Sequence, residues 1–197
     1  NNNIENALSL LEKNNSTAYE RIAKATNKVF YHGSDVKLED FNIKPIFFSS
    51  NKQYSAHYGG KVKQYFVDVD SLFDTRNEKA LNVYNQEFIP YALSKASDKK
   101  RYYKLDEGEI VPFTTADLLY VFLRKKKREN MDYGYDGVLV DEKVDNEYSF
   151  YPLTRPQIKE VSPKSITEYY QKEKENSSNP DFVNMIEALI GKTYSEG

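Results

Sequence analysis

The sequence predicts an α+β fold, with helices at both ends and short strands interleaved with helices between them. Three observations lead there. Helix-start signals stand near both ends, with Ile4, Leu8, Leu10 and Leu11 on a loose apolar face and Pro180 placed as a first helical residue. The middle carries short β-favouring runs, at 29–31, 46–48, 138–140 and 147–151. Long alternating β-α-β units are missing, and so is a glycine-rich phosphate loop of the Rossmann or Walker kind, which speaks against a doubly wound nucleotide fold.

Composition narrows the function classes. The 197 residues suffice for one domain with a real core. A net charge of -2 creates no global basic field toward nucleic acid or membrane, although local patches remain possible. No apolar run reaches bilayer length, and no signal peptide is visible. The chain begins at Asn1 without an initiator methionine, so we expect a fragment or processed product and give the missing targeting signals little weight. The absence of cysteine excludes disulfides, thiolate zinc sites and cysteine nucleophiles. With His32 and His57 as the two histidines, a histidine-rich metal site is not expected. The 17 tyrosines and 11 phenylalanines are many for this length; most must form the core, and a few are free to line a cleft that stacks on a planar ligand.

The elements follow in order. Residues 1–28 read as two helices broken at 14–16, the second opened by a Thr17/Glu20 capping box. Strand Val29–Tyr31 runs into His32, Gly33 and Ser34. A polar connection follows, with Leu38 and Phe41 as anchors, then a short strand at 46–48. A helix is expected over 50–58, capped by Ser50 and ended by Gly59 and Gly60, with Tyr54 and Tyr58 on one face. Residues 63–69 alternate as a strand does. The stretch 71–112 is the least legible, with a helix over 81–96 interrupted at Pro90. Thr114 opens a helix with a wide apolar face that ends in the cations 124–128. We read these cations as a solvated helix end complementing the macrodipole in preference to a phosphate contact. Residues 133–137 turn into the buried strand Val138–Val140, and 141–145 form a polar hairpin loop. Strands at 147–151 and 157–161 follow, then a helix opened by a Ser165/Glu168 capping box, a linker at 176–179 and a last helix from Pro180 to Gly191.

Three of these stretches carry candidate chemistry. In the first, a strand ends in Tyr31-His32-Gly33-Ser34, and a residue without a side chain suits close approach of backbone to a ligand. The second is Ile46-Phe47-Phe48-Ser49 with Ala56-His57-Tyr58-Gly59. The third is Asn146-Glu147-Tyr148-Ser149-Phe150-Tyr151, followed by Gln157-Ile158. Each is weak alone; Glu147 by itself reads as an ordinary edge-strand carboxylate, and His57 as a surface residue.

Taken in order, the three stretches resemble the ADP-ribosyltransferase superfamily on its diphtheria-toxin and poly(ADP-ribose) polymerase side, whose His-Tyr-Glu signature is spread over three strands. The layout is similar to small phage and polymorphic-toxin transferases. The resemblance covers about residues 28–161, which divides the chain into an N-terminal helical segment 1–27, a catalytic domain 28–161 and a C-terminal helical extension 162–197. It implies a split β-sheet ADP-ribosyltransferase fold with flanking N- and C-terminal helices. It also implies that NAD is the substrate, with no metal. Glu147 would stabilise the charge that develops at the ribose, His32 would hydrogen-bond the adenosine ribose, and the Gly33 backbone would hold the nicotinamide amide. Ser34 would support the site and Tyr58 would stack on nicotinamide. Phe47 stands where the polymerases carry a tyrosine, so its ring can pack on nicotinamide without the phenol's hydrogen bond. Asp145 lies where arginine-directed transferases carry a second polar residue, but their other motifs are absent and we read it as loop.

The resemblance implies a mono-ADP-ribosyltransferase acting as a bacterial toxin, effector or phage-related factor. Its acceptor would be a protein or nucleic acid, and a neutralising immunity or antitoxin protein is a further expected partner. A cytoplasmic place of action, in the producing cell or in a target cell that receives it, goes with that reading, and no membrane partner is expected. The alternatives are an NAD glycohydrolase and a catalytically silent NAD- or ADP-ribose-binding module.

Overall fold

Helices α1 (Asn2–Asn14) and α2 (Ser16–Lys24) open the chain in a computed structural model that describes residues 2–33, 44–56, 61–143 and 147–196. The cap of α2 is Asn15, whose side chain accepts from Ala18 N at 3.2 Å, instead of the expected Thr17. Asn15 stands at the break itself, in non-helical backbone, so its side-chain oxygen meets an orphan amide of the first turn, while Thr17 already lies within the helix. Strand β1 is Val29–His32, so His32 belongs to the strand itself. The expected strand at 46–48 is reduced to single bridges at Phe48 and Ser49. Helix α3 is a single turn, Lys52–Ser55, and the expected Leu38 and Phe41 anchors and the Gly59–Gly60 helix end lie outside the described residues. Strand β2 is Lys63–Val67.

The stretch that was hardest to read holds two short strands and a long helical segment. Strand β3 (Leu72–Phe73) precedes α4 (Glu78–Val83), a wide helical turn over Tyr84–Phe88 and α5 (Ile89–Lys95). Pro90 therefore does not end the helix. It lacks an N–H and its ring would meet the carbonyl one turn back, so the turn before it widens and Ile89 N–H bonds to Tyr84 O, five residues earlier. Strand β4 is Val111–Pro112, and α6 (Ala116–Arg128) continues through the cationic run. Thr115 precedes α6 without a side-chain cap; its hydroxyl is bonded to the Pro112 carbonyl and the Tyr84 hydroxyl. Strands β5 (Gly137–Asp141), β6 (Tyr148–Pro152) and β7 (Ile158–Glu160) follow. Helix α7 (Pro163–Asn176) starts three residues before the expected box, because Ser162 caps it and Ser165 returns the bond. Helix α8 (Pro180–Glu196) passes straight through Gly191, where no atom would crowd a side chain.

The chain divides into two compact units. One gathers Asn1–Val29, Gln64–Phe66 and Lys159–Gly197, so the two helical ends belong to one body. Its core is Ile4, Leu8, Tyr19, Ile22, Ile166, Tyr170, Phe182 and Ile186, contributed by α1, α2, α7 and α8. Within it β2 and β7 are neighbours, with Val161 N–H on Gln64 O at 3.1 Å.

The other unit, Phe30–Lys63 and Val67–Ile158, contains a four-stranded mixed sheet. Strand β5 is its spine. β6 pairs with it antiparallel along its whole length, Gly137 opposite Pro152 and Asp141 opposite Tyr148. β3 and β4 pair parallel with successive segments of β5, at Gly137–Val138 and Val140–Asp141. A strand flanked on both sides reads as a continuous apolar run, and Val138 and Val140 are fully buried. Tyr84, Phe88, Leu119, Tyr120 and Phe122 of the helices are buried in the same unit. The chain is thus a mixed helix–sheet protein with small sheets, as α+β expects.

Candidate active site

Two pairs of backbone hydrogen bonds bring the three motif stretches side by side. Tyr31 N–H bonds Ser49 O at 2.8 Å and Ser49 N–H returns to Tyr31 O at 3.0 Å. Phe48 N–H bonds Phe150 O at 2.8 Å and Phe150 N–H returns to Phe48 O at 3.0 Å. The segment around Phe48 therefore lies between β1 and β6, antiparallel to each. Extended backbone sends successive side chains to opposite faces. Phe47 accordingly meets Phe113 and Tyr151, at centroid distances of 5.3 and 5.4 Å, while Phe48 meets His32 and Phe150 at 5.5 and 6.0 Å.

His32 is buried, and its Nδ1–H donates to the Phe47 carbonyl at 2.8 Å. A carbonyl only accepts, so the bond fixes the proton on Nδ1 and leaves Nε2 as the acceptor of the neutral ring. Burial holds the imidazole below its ordinary pKa, and the Phe47 carbonyl opposes that shift only in part. Gly33 follows where the chain touches α3: a Cβ there would lie 1.6 Å from the Ser55 carbonyl oxygen. Glycine is required by this close approach of two backbones. The Ser55 hydroxyl is itself 3.1 Å from Asn51 O, within the first turn of α3.

These residues border a cavity of about 340 Å³, a size within the range of ligand pockets. His32, Gly33, Phe47, Phe48, Ser49 and Ser55 line one part of it, and Phe113, Asp117, Glu142 and Ser149 line another. Glu147 is not in the lining. It stands immediately before β6, half-buried, with Oε1 accepting from Asn51 Nδ2 at 2.7 Å. Asn51 N–H in turn bonds Ser49 Oγ at 3.0 Å, and Ser49 does line the cavity. Glu147, Ser149 and Tyr151 alternate with Tyr148 and Phe150, which places the Glu147 position on the cavity side of the strand. Ser34, His57, Tyr58 and Asp145 lie outside the described residues.

Sequence reading missed Asn51, Ser55, Asp117, Ser149 and Glu142 as contributors. Glu142 left the clearest trace: continuing the period of two from Val138 and Val140 puts position 142 on the buried face. Its carboxylate accepts from Ser149 Oγ at 2.5 Å, and its N–H bonds the Glu147 carbonyl at 3.3 Å.

The cationic run divides. Arg124 is tied into the fold, donating to the Tyr120 hydroxyl and to Leu153 O at 2.9 Å each. Lys127 pairs with Asp132 at 3.0 Å. Both are structural anchors at the end of α6, where cations also suit the dipole. Among the described residues, no group of three or more His, Asp or Glu is placed to hold a metal ion, and no helix is long and apolar enough to cross a membrane. No protein-family model, no curated protein and no solved structure matches this chain.

Proposed function

We propose that the chain is an ADP-ribosyltransferase with a split β-sheet fold of that superfamily, which cleaves NAD and transfers one ADP-ribose to a macromolecular acceptor. The observation that carries this reading is the hydrogen-bonded adjacency of the His32, Phe48 and Phe150 strands beside one cavity. Segments of three stretches that are weak signals in the sequence are neighbours, which supports reading them together.

In this reading the bond between ribose C1′ and the nicotinamide nitrogen breaks, and its electron pair passes to the ring, which leaves neutral. Positive charge builds on the ribose as an oxocarbenium ion. The Glu147 carboxylate stabilises that charge and accepts the proton of the attacking hydroxyl, amine or other nucleophile. His32 accepts at Nε2 from a ribose hydroxyl, a role that needs the neutral tautomer its Phe47 bond enforces. Backbone at Gly33 meets the carboxamide, and Phe47 packs on the ring. The resemblance assigns Ser34 a supporting role and Tyr58 the second stacking face. The acceptor is a protein or a nucleic acid, the expected setting is a toxin, effector or phage-related factor acting in a cytoplasm, and a neutralising immunity protein is an expected partner.

The test uses NAD labelled in its adenosine half, incubated with the chain and a cell lysate. Free nicotinamide together with label in macromolecules supports transfer, and protease or nuclease treatment identifies the acceptor class. Nicotinamide without transfer assigns a glycohydrolase. Bound but intact NAD assigns a silent binding module, and no interaction with NAD overturns the reading.

A further inference from the structure

A second cleft, of about 260 Å³, lies in the same compact unit at the C-terminal end of α6. Arg124, Lys127 and Arg128 line it from α6, and Arg155 lines it from the turn after β6. Among the described residues no carboxylate is in the lining. Two of the cations are held by neighbours: Arg124 donates to Leu153 O and the Tyr120 hydroxyl, and Lys127 pairs with Asp132. The other two have no carboxylate partner among the described residues. Arg155 donates to the neutral Ile158 carbonyl at 3.1 Å, and Arg128 is exposed. The helix end does not need these side chains as caps, since the carbonyls of Lys125, Lys126 and Lys127 already accept from the N–H groups of Glu129, Met131 and Asn130.

Guanidinium groups reach this cleft from two segments of chain. A carboxylate offers two oxygens in one plane and serves one fork, whereas a phosphate is tetrahedral and can accept from both segments at once. The cleft is also linked to the cavity at His32. Helix α6 carries Asp117 in that cavity and Arg124–Arg128 in the cleft, about 10–16 Å apart along the helix at ~1.5 Å per residue. Strand β6 makes the same passage, from Ser149 to the turn at Leu153. A polymer held at the cleft by one phosphate therefore has the cavity within a few nucleotides' reach.

We propose that this cleft binds a backbone phosphate of a nucleic acid and that nucleic acid is the acceptor. The inference rests on the proposed function and names its acceptor class. The net charge of -2 gives no general attraction for polyanions, so binding depends on these residues.

The experiment is fluorescence anisotropy of a labelled single-stranded oligonucleotide of mixed sequence, as DNA and as RNA, with the full chain and without NAD, over a salt series. The native chain should bind at least one of the two, with affinity falling as salt rises. Arg128→Gln and Arg155→Gln should each weaken binding about threefold or more and lower the slope of log affinity against log salt by about 0.7–1. Lys172→Gln removes the same charge from an exposed position of α7 and should change neither. A polyglutamate peptide of equal charge should compete at least about tenfold less well than unlabelled oligonucleotide. No oligonucleotide binding overturns the inference, whether or not inorganic phosphate binds. So does equal weakening by Lys172→Gln, or competition by polyglutamate on a par with nucleic acid. With NAD labelled in its adenosine half, label should enter the oligonucleotide, and less of it in the two arginine variants. A native chain that releases nicotinamide but labels only protein overturns the inference and leaves the proposed function standing. Oligonucleotide binding without any reaction of NAD keeps the phosphate site and overturns the proposed function.

Discussion

Asn51 Nδ2 donates a 2.7 Å hydrogen bond to Glu147 Oε1 across 96 positions of chain. Asn51 is held in turn by its own N–H on Ser49 Oγ, and Ser49 is paired with Tyr31 in β1. One oxygen of the Glu147 carboxylate is thereby tied to the strand that carries His32. An amide donor to a carboxylate orients it without neutralising it, which suits the role proposed for Glu147.

Removing that donor tests the orientation. Asn51→Ala should lower the rate of nicotinamide release from NAD about tenfold while KM changes little, because a loosened carboxylate is misplaced at the moment charge develops. Steady-state kinetics with chromatographic detection of nicotinamide give both parameters. An unchanged kcat would show that the bond has no catalytic part.

Glu147→Gln goes further and removes the charge while keeping the shape. Loss of kcat by about 10²–10³-fold is expected, with NAD affinity within a few-fold of native. Nicotinamide release and calorimetric titration on the same preparation separate the two effects.

Gly33→Ala probes the close backbone contact. The clash is with the Ser55 carbonyl and not with the tip of a side chain, so β1 or α3 must move. A loss of about 1–3 kcal/mol or more is expected from overpacking. Gly191→Ala is the matched control: it lies within α8 with no atom near a new Cβ, and it should gain about 0.5–1 kcal/mol from helix propensity. Urea midpoints of the two variants should move in opposite directions, and a common direction would contradict the geometry.

His32 should mark the pH dependence of stability. Its folded pKa lies below the ordinary 6.5, with burial as the main cause. Below pH 6.5 the unfolded chain takes up the proton first, so the contribution is fully present above that pH and is lost as pH falls toward the folded value. Urea midpoints of the native chain should therefore fall on acidification through this window more than those of His32→Gln, whose carboxylates titrate alike. Parallel profiles would refute the depressed pKa.

Local signals in the sequence were enough for the elements that have their own periodicity or punctuation. Val29–Tyr31 as a strand, the apolar face after Thr114, the buried run Val138–Val140 and the start at Pro180 were legible because strand alternation, helix spacing and proline geometry act over a few residues. The three motif stretches were legible as residue types in order. What depended on pairing was not. β3 and β4 are two residues each and exist only because β5 offers them an edge. The widened turn before Pro90 and the choice of Asn15 and Ser162 as caps were settled by competition among neighbours that each had a plausible local claim. The placement of Glu142 in the cavity and the bond from Asn51 to Glu147 belong to the same class. Composition and spacing determined which residues have chemistry to offer. Only the tertiary structure decided which of them meet, because a contact between remote stretches is a property of how the whole chain packs.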